Sequence, residues 1–391
     1  MKKIAYWFLY IFIFTLPWED MFVVSGLGAV SKISGFLFLV TSLIYIISRG
    51  YIYKINIYYL YITIFVFWVT CSFFWSINKP HSFILIFTAF QLFLMFLLMS
   101  QIVKQEEVLM NLLQSFVFGG WVSSIGIINS YFSNNNPYNE RFSAGAFDPN
   151  ELGIILVISI TVSWYLSLRI KSIFLINVNR VYILLGAFAV FLTGSRTAFL
   201  ALIASVIYIL FLTNFKKGKK IGFLLKIILG FFLLYSILLL VPDTTTERIL
   251  TTSSELSTGD FNSRQDAWFG GFELIKDNPI LGVGIGSFRI ALGEKLGLYM
   301  VAHNIYISVL GELGLVGFII LLIIIYLIIK KIISLNNANK YFLLTVWIIW
   351  FLASLTLTWE YSKITWLLFA LVNIYDKMSN VKSNSFDKEL K

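Results

Sequence analysis

Ala302-His-Asn-Ile-Tyr-Ile-Ser-Val-Leu-Gly-Glu-Leu-Gly-Leu-Val-Gly-Phe-Ile-Ile-Leu-Leu-Ile-Ile-Ile-Tyr-Leu-Ile-Ile329 carries one carboxylate, Glu312, and is otherwise apolar from Ile305 onward apart from Ser308. A helix needs about 20 apolar residues to cross a hydrocarbon core of about 30 Å, so this run reads as a transmembrane helix with polar groups at its start. Comparable runs stand at approximately 4–18, 33–48, 57–77, 82–103, 109–130, 151–168, 174–193, 197–213, 221–241, 301–329, 341–357 and 361–376. The expected fold class is therefore all-α, a polytopic membrane protein of about twelve helices forming one membrane domain over residues 1–391. Composition agrees. The 391 residues are 59% hydrophobic and 13% charged, against roughly 45–50% and about 25% in soluble domains. Lys2 and Lys3 resemble the start of a signal peptide, but the first apolar run of a polytopic chain normally stays as its first span. A single cysteine, Cys71, leaves no intrachain disulfide and reads as a small apolar packing residue.

The formal charge of +10 raises nucleic-acid binding, yet the basic residues are scattered among loops rather than set beside aromatics as a stacking platform requires. Topology explains the excess better, because Lys and Arg gather in short cytoplasmic loops. Alternate connections hold Lys2 and Lys3; Arg49 and Lys54; Lys104; Arg169, Lys171 and Arg180; Lys216 to Lys220; Lys330, Lys331 and Lys340; and Lys377 onward. Both ends are thus expected in the cytoplasm, with the segments around Arg141, Arg196, Arg264 and His303 on the outer face. Two outer loops are long, 131–150 and 242–300. Within the second, Thr244 to Thr258 reads as Thr/Ser-rich coil. Trp268, Phe272 and Ile275 then recur at helical spacing, giving a short amphipathic helix over Ser263 to Lys276, stopped by Asn278-Pro279 and suited to the membrane interface.

Arg196, in Leu192-Thr-Gly-Ser-Arg-Thr-Ala-Phe199, is either a functional charge at the membrane boundary or an arginine snorkelling to the interface. Arg264 opens the amphipathic helix, where backbone N–H groups favour anions and a guanidinium suits phosphate oxygens; a solvated surface arginine is the alternative. Arg141 precedes Asp148-Pro-Asn150, a helix start that Asp148 or Asn150 could cap. His303 stands beside Asn304 with Tyr306 close behind, and imidazole can serve as a general base at neutral pH; it could equally satisfy a backbone carbonyl. Glu312 requires a polar partner or a proton, and His81 beside Lys79-Pro80 reads as a loop residue. Gly282, Gly284 and Gly286 lack the βαβ unit of a dinucleotide loop and read as a turn allowing close backbone approach. Two histidines, one cysteine and no suitably spaced carboxylates leave no metal site expected, and no cofactor.

Together these residues make the chain resemble the O-antigen ligase and Wzy-type polysaccharide polymerase family of bacterial membrane proteins. The likeness rests on Thr193-Gly-Ser-Arg196-Thr, on Arg264 and Trp268 followed by Asn278-Pro-Ile-Leu-Gly-Val-Gly-Ile-Gly-Ser-Phe288, on His303-Asn304 with Glu312-Leu-Gly-Leu-Val-Gly317, and on Phe147-Asp-Pro-Asn150-Glu-Leu-Gly153. It implies a metal-independent glycosyltransferase that moves a glycan from undecaprenyl diphosphate to a sugar hydroxyl at the outer face of the cytoplasmic membrane. Arg196 and Arg264 would then hold the diphosphate, His303 would orient or deprotonate the acceptor, and Arg141, Asn150, Trp268, Asn304 and Tyr306 would contact substrate. The partners implied are the lipid-linked oligosaccharide, an acceptor glycan, membrane lipid, a chain-length regulator and a flippase. A polymerase is favoured over a ligase to lipid A core, because the segment holding the site is lean and no soluble acceptor-binding domain is visible. A transporter also suits twelve spans, but its site would lie near the midplane between repeats, whereas here the polar groups gather at the outer boundary.

Overall fold

The computed structural model describes residues 1–24, 26, 28–133, 141–212 and 264–389. Among them the helices are α1 (Lys2–Thr15), α2 (Val30–Arg49), α3 (Ile57–Cys71), α4 (Lys79–Ile102), α5 (Glu106–Phe132), α6 (Pro149–Ser167), α7 (Ile173–Leu192), α8 (Arg196–Ile207), α9 (Arg264–Asp277), α10 (Phe288–Leu296), α11 (Ile305–Ile333), α12 (Asn337–Ser354) and α13 (Lys363–Glu389). Val23–Val24 pairs antiparallel with Gly28–Ala29 between α1 and α2. The chain is an all-α polytopic membrane protein. Every expected span within the described residues is a helix; 221–241, the Thr244–Thr258 coil and part of the 131–150 loop lie outside them. Among the described residues, seven helices (α2, α3 with its extension to Phe74, α4 to α7, and α11) are long and apolar enough to cross a membrane.

Polar side chains set many of the helix starts. Asn56 accepts from the N–H groups of Tyr58 and Tyr59, Asp148 from Asn150 and Glu151, Ser172 from Leu175, Ser195 from Ala198, and Asn304 from Tyr306 and Ile307. Each replaces a partner that the first helical turn lacks.

The chain forms two compact units, residues 1–45, 105–254 and 336–353, and residues 46–104, 255–335 and 354–391. In the first, α6 is buried along nearly its whole length and packs on α5, α7 and α8. Its small hydroxyl residues bond across the interfaces, Thr161 Oγ1 to Ser205 Oγ at 2.9 Å and Ser163 Oγ to the Asn179 carbonyl at 2.6 Å, as polar groups do between membrane helices. At one end of this unit Arg169, just past α6, meets Glu106 at the start of α5 (3.3 Å) and Asn339 at the start of α12 (2.7 Å). Ile173, Phe174 and Val181 on α7 remain exposed, which suits a surface whose solvent is lipid.

The second unit packs α11 against α3, α9 and α13, and α4 against α3 and α13. The expected amphipathic helix is α9, but its buried stripe is Ala267, Gly270, Gly271 and Leu274. Phe272 of the expected stripe is half-exposed, as is Phe269. The reason is closeness: a Cβ on Gly271 would lie 3.1 Å from the Phe288 ring, and one on Gly270 would strike Leu292. Small residues face the protein here, Trp268 packs partly buried beside them, and Phe269 and Phe272 face outward.

Candidate active site

In the second unit, the two glycine-containing motifs of the sequence are partners in one structure. Helix α11 breaks at Gly314, whose φ of 65° and ψ of −170° suit only glycine. The segment Pro279 to Gly284 fills the break. Val283 and Gly284 donate their N–H groups to the Gly311 and Glu312 carbonyls at 2.9 and 2.8 Å, and Leu315 donates back to Pro279 at 2.9 Å. Trp68 Nε1 caps the Leu313 carbonyl at 3.0 Å. The backbone groups freed by the break are thereby satisfied, the condition under which irregular backbone survives at membrane depth.

The G-x-G-x-G loop thus brings its backbone close to the protein itself. Gly282, Gly284 and Gly286 all have positive φ, and a Cβ on Gly284 would sit 2.5 Å from the Ser76 Cβ. Ser76 Oγ bonds Ser82 Oγ at 2.6 Å and Ser287 Oγ at 2.8 Å, while Ser72 Oγ accepts from Ile285 N–H at 3.1 Å. Glu312 finds the polar partners that its position demanded: Oε2 accepts from Gly286 N–H at 2.8 Å and Oε1 from Phe288 N–H at 3.2 Å. These amides open α10, where the helix dipole favours a negative charge. His81 lies in the first turn of α4 rather than a loop, because Pro80 is well placed at a helix start.

The sequence-predicted imidazole, His303, stands just before the Asn304 cap of α11. Among the described residues His303 is the one non-glycine with positive φ, 48°. Its neighbours are fixed on both sides. Trp268 Nε1 donates to the Ala302 carbonyl at 3.0 Å. Asn304 caps α11 through Oδ1 (2.9 and 3.1 Å) and donates Nδ2 to the Leu355 carbonyl at 3.3 Å. Tyr306 Oη accepts from Ser354 Oγ at 3.1 Å. The Asn304 carboxamide is therefore engaged in shaping the backbone. Arg264 is the first residue of α9.

Sequence reasoning missed Glu360, in the connection between α12 and α13. It is 8% exposed; Oε1 accepts from Ser308 Oγ at 2.5 Å, and Oε2 is buried with no hydrogen-bond partner among the described residues. Burial pushes its carboxyl up to about 7 against the opposing Ser308 bond. The polar Ser308 within an apolar run was the available signal, since such a hydroxyl marks a polar neighbour.

The first unit holds Arg141, Asn150 and Arg196. Helix α7 stops at Leu192, and Thr193-Gly-Ser195 turns the chain directly into α8, with Gly194 at φ 58°. Arg141 braces this turn: Nε donates to the Thr193 carbonyl at 3.0 Å and Nη2 to Asn150 Oδ1 at 2.9 Å, while Phe142 N–H donates to the Leu192 carbonyl at 3.0 Å. A Cβ on Gly153 would lie 2.7 Å from that of Ala198, so α6 and α8 touch beside it. Arg196 is the first residue of α8, one position past the Ser195 cap. Asp148, the alternative to Asn150 as cap, is the cap. No group of three or more His, Cys, Asp or Glu that could hold a metal stands among the described residues.

No curated protein matches the chain. Residues 181–322 match a family model described as O-antigen ligase, a stretch running from the second half of α7 into α11. It contains Arg196, Arg264, Trp268, His303, Asn304, Tyr306 and Glu312, and leaves Arg141, Asn150 and Glu360 outside. This match, which spans Arg196, Arg264, the glycine loop and the His303-Asn304 cap, supports a likeness to the O-antigen ligase and Wzy-type glycan ligases and polymerases.

Proposed function

We propose that the protein polymerises undecaprenyl-diphosphate-linked oligosaccharide repeats into a surface polysaccharide at the outer face of the cytoplasmic membrane, with both termini in the cytoplasm. The observation that carries this reading is that Arg196 opens α8, one position past the Ser195 cap, and Arg264 stands in the first described turn of α9. A guanidinium and the backbone amides of a first turn then act on the same anion, and a diphosphate is the anion that a lipid-linked glycan donor presents. In the reaction, the acceptor hydroxyl oxygen bonds the anomeric carbon as the bond from that carbon to the diphosphate oxygen breaks. The hydroxyl proton passes to the His303 imidazole and on to solvent. The lipid diphosphate leaves as an anion, its developing charge met by Arg196 and Arg264. Charge neutralisation takes the place of a metal, and Trp268, Tyr306, Asn304, Asn150 and Arg141 shape the surroundings.

Purified protein reconstituted with lipid-linked repeats should lengthen them without nucleotide sugar or divalent metal. Arg196→Ala and Arg264→Ala should each lose this activity at normal protein levels; retained activity in either removes the phosphate assignment. The family's description favours a second reading, transfer to lipid A core. A deletion strain separates the two. Single repeats on the final anchor indicate a polymerase, and full-length glycan left on the carrier lipid indicates a ligase.

A further inference from the structure

At the other end of the second unit, away from His303, cations gather from four elements. Arg49 closes α2, donating Nη1 to the Gln101 carbonyl at 3.1 Å and Nε and Nη2 to the Tyr51 carbonyl at 3.1 and 2.9 Å. Its guanidinium lies 4.5 Å from the ring centres of both Tyr51 and Tyr53. Lys104, just past α4, sits over the Tyr53 ring at 4.1 Å and donates to the Ser100 carbonyl at 2.8 Å. Lys377 on α13 donates to Tyr59 Oη at 2.7 Å. Lys331 on α11 pairs with Asp376.

Lys104 bonds a carbonyl and sits over a ring, and Lys377 bonds a hydroxyl, while Asp376 beside Lys377 pairs with Lys331. Basic residues at helix ends do cap carbonyls, but that role needs one cation per helix and gives no reason to bring these together. Their mutual repulsion is large enough to register: burial, then Lys377, then Arg49, lower the Lys104 ammonium to about 7. An anion placed among them would relieve both the repulsion and the lost hydration. The position at helix ends is that of a lipid headgroup, and Ile47 and Ile52 beside Arg49 are exposed, at 77% and 66%, where acyl chains would lie.

We propose that Arg49, Lys104 and Lys377, with Tyr53 as the ring between two of them, bind the phosphate of an anionic phospholipid headgroup. Basic pockets between membrane helices suit such headgroups, each cation contributing about fivefold in affinity. The inference does not depend on the transferase reading.

The full chain in neutral detergent is titrated with phosphatidylglycerol, with phosphatidylcholine and with inorganic phosphate, following the thermal midpoint and bound lipid by native mass spectrometry. Phosphatidylglycerol should bind and stabilise selectively. Lys104→Gln with Lys377→Gln should weaken it about 25-fold, and Lys104→Gln alone about fivefold, which keeps the test available should the double variant not fold. The control pair Lys54→Gln with Lys330→Gln, two exposed lysines, should change it less than about twofold. Equal stabilisation by both lipids, equal losses in the control pair, or saturation by phosphate alone without lipid preference would each overturn the proposal.

Discussion

Glu312→Gln tests whether the carboxylate of α11 is the pin that holds the glycine loop. The side chain receives two backbone N–H groups on separate oxygens, from Gly286 at 2.8 Å and Phe288 at 3.2 Å. A carboxamide of the same shape keeps one acceptor and turns an NH₂ group toward the other amide. One hydrogen bond, about 0.5–1.5 kcal/mol, is lost, and the facing buried N–H is left without a partner at about 1–3 kcal/mol, so a loss of about 2–4 kcal/mol is expected. Glu312→Ala removes both acceptors and should cost more. Thermal unfolding in detergent gives the magnitude, and hydrogen exchange locates it: the amides of Gly286 and Phe288 should exchange faster while those of α6 do not change. A Gln variant within about 0.5 kcal/mol of the parent, with unchanged exchange at those amides, would show that the loop is held by its glycine backbone pairing and not by the charge.

Gly314→Ala should be more damaging than an ordinary helix substitution, at about 3 kcal/mol or more, because φ is positive and the new Cβ would drive into the Ile280 carbonyl; a thermal midpoint equal to the parent's would deny the break. Arg141→Ala should cost about 2 kcal/mol and Arg141→Lys about 1 kcal/mol, since one ammonium cannot serve both Thr193 and Asn150, and equal midpoints for the two variants would contradict the fork. His303→Asn should keep or raise the thermal midpoint, asparagine being tolerant of positive φ, while transfer on lipid-linked repeats is lost; an active Asn variant would remove the imidazole from the reaction. Glu360 binds its proton more tightly folded, at about 7, than unfolded, at 4.5. Its contribution to stability is therefore greatest below about pH 4.5 and lost as pH rises through about 7. Melting curves of Glu360→Gln should gain on the parent between pH 5 and 8, and parallel curves would refute the shift.

The helices were legible because each apolar run is long and uninterrupted, and Asp148 is one of two residues that read as a cap; Asn56, Ser172, Ser195 and Asn304 emerge as caps from the structure. Some basic connections meet within each unit: Arg169 reaches the starts of α5 and α12, and Arg49 reaches the end of α4. What sequence could not supply was pairing at a distance. Asn278 to Phe288 and Glu312 to Gly317 were noticed as separate motifs, and nothing local in either says that one fills a gap in the other. Periodicity marked the apolar positions Trp268, Phe272 and Ile275 of α9 but did not reveal its buried stripe of Ala267, Gly270, Gly271 and Leu274, because in a membrane the outside is apolar too and closeness, not hydropathy, selects glycine and alanine for the protein side. Glu360 escaped because a lone carboxylate between two apolar runs reads as a loop charge until Ser308 is seen to reach it.

The same interactions explain how a strained histidine can persist at the start of α11. Positive φ costs a residue with a Cβ about 1–2 kcal/mol. Against it stand the Trp268 bond to Ala302 on one side and three bonds of Asn304 on the other, each contributing about 0.5–1.5 kcal/mol. Two residues of fixed backbone thus bracket one residue with little choice of conformation, and Glu312 holds the next turns of the same helix to α10. The backbone from which the imidazole projects is thereby held on both sides, and under the proposed function this is the backbone that would present the imidazole to an acceptor hydroxyl.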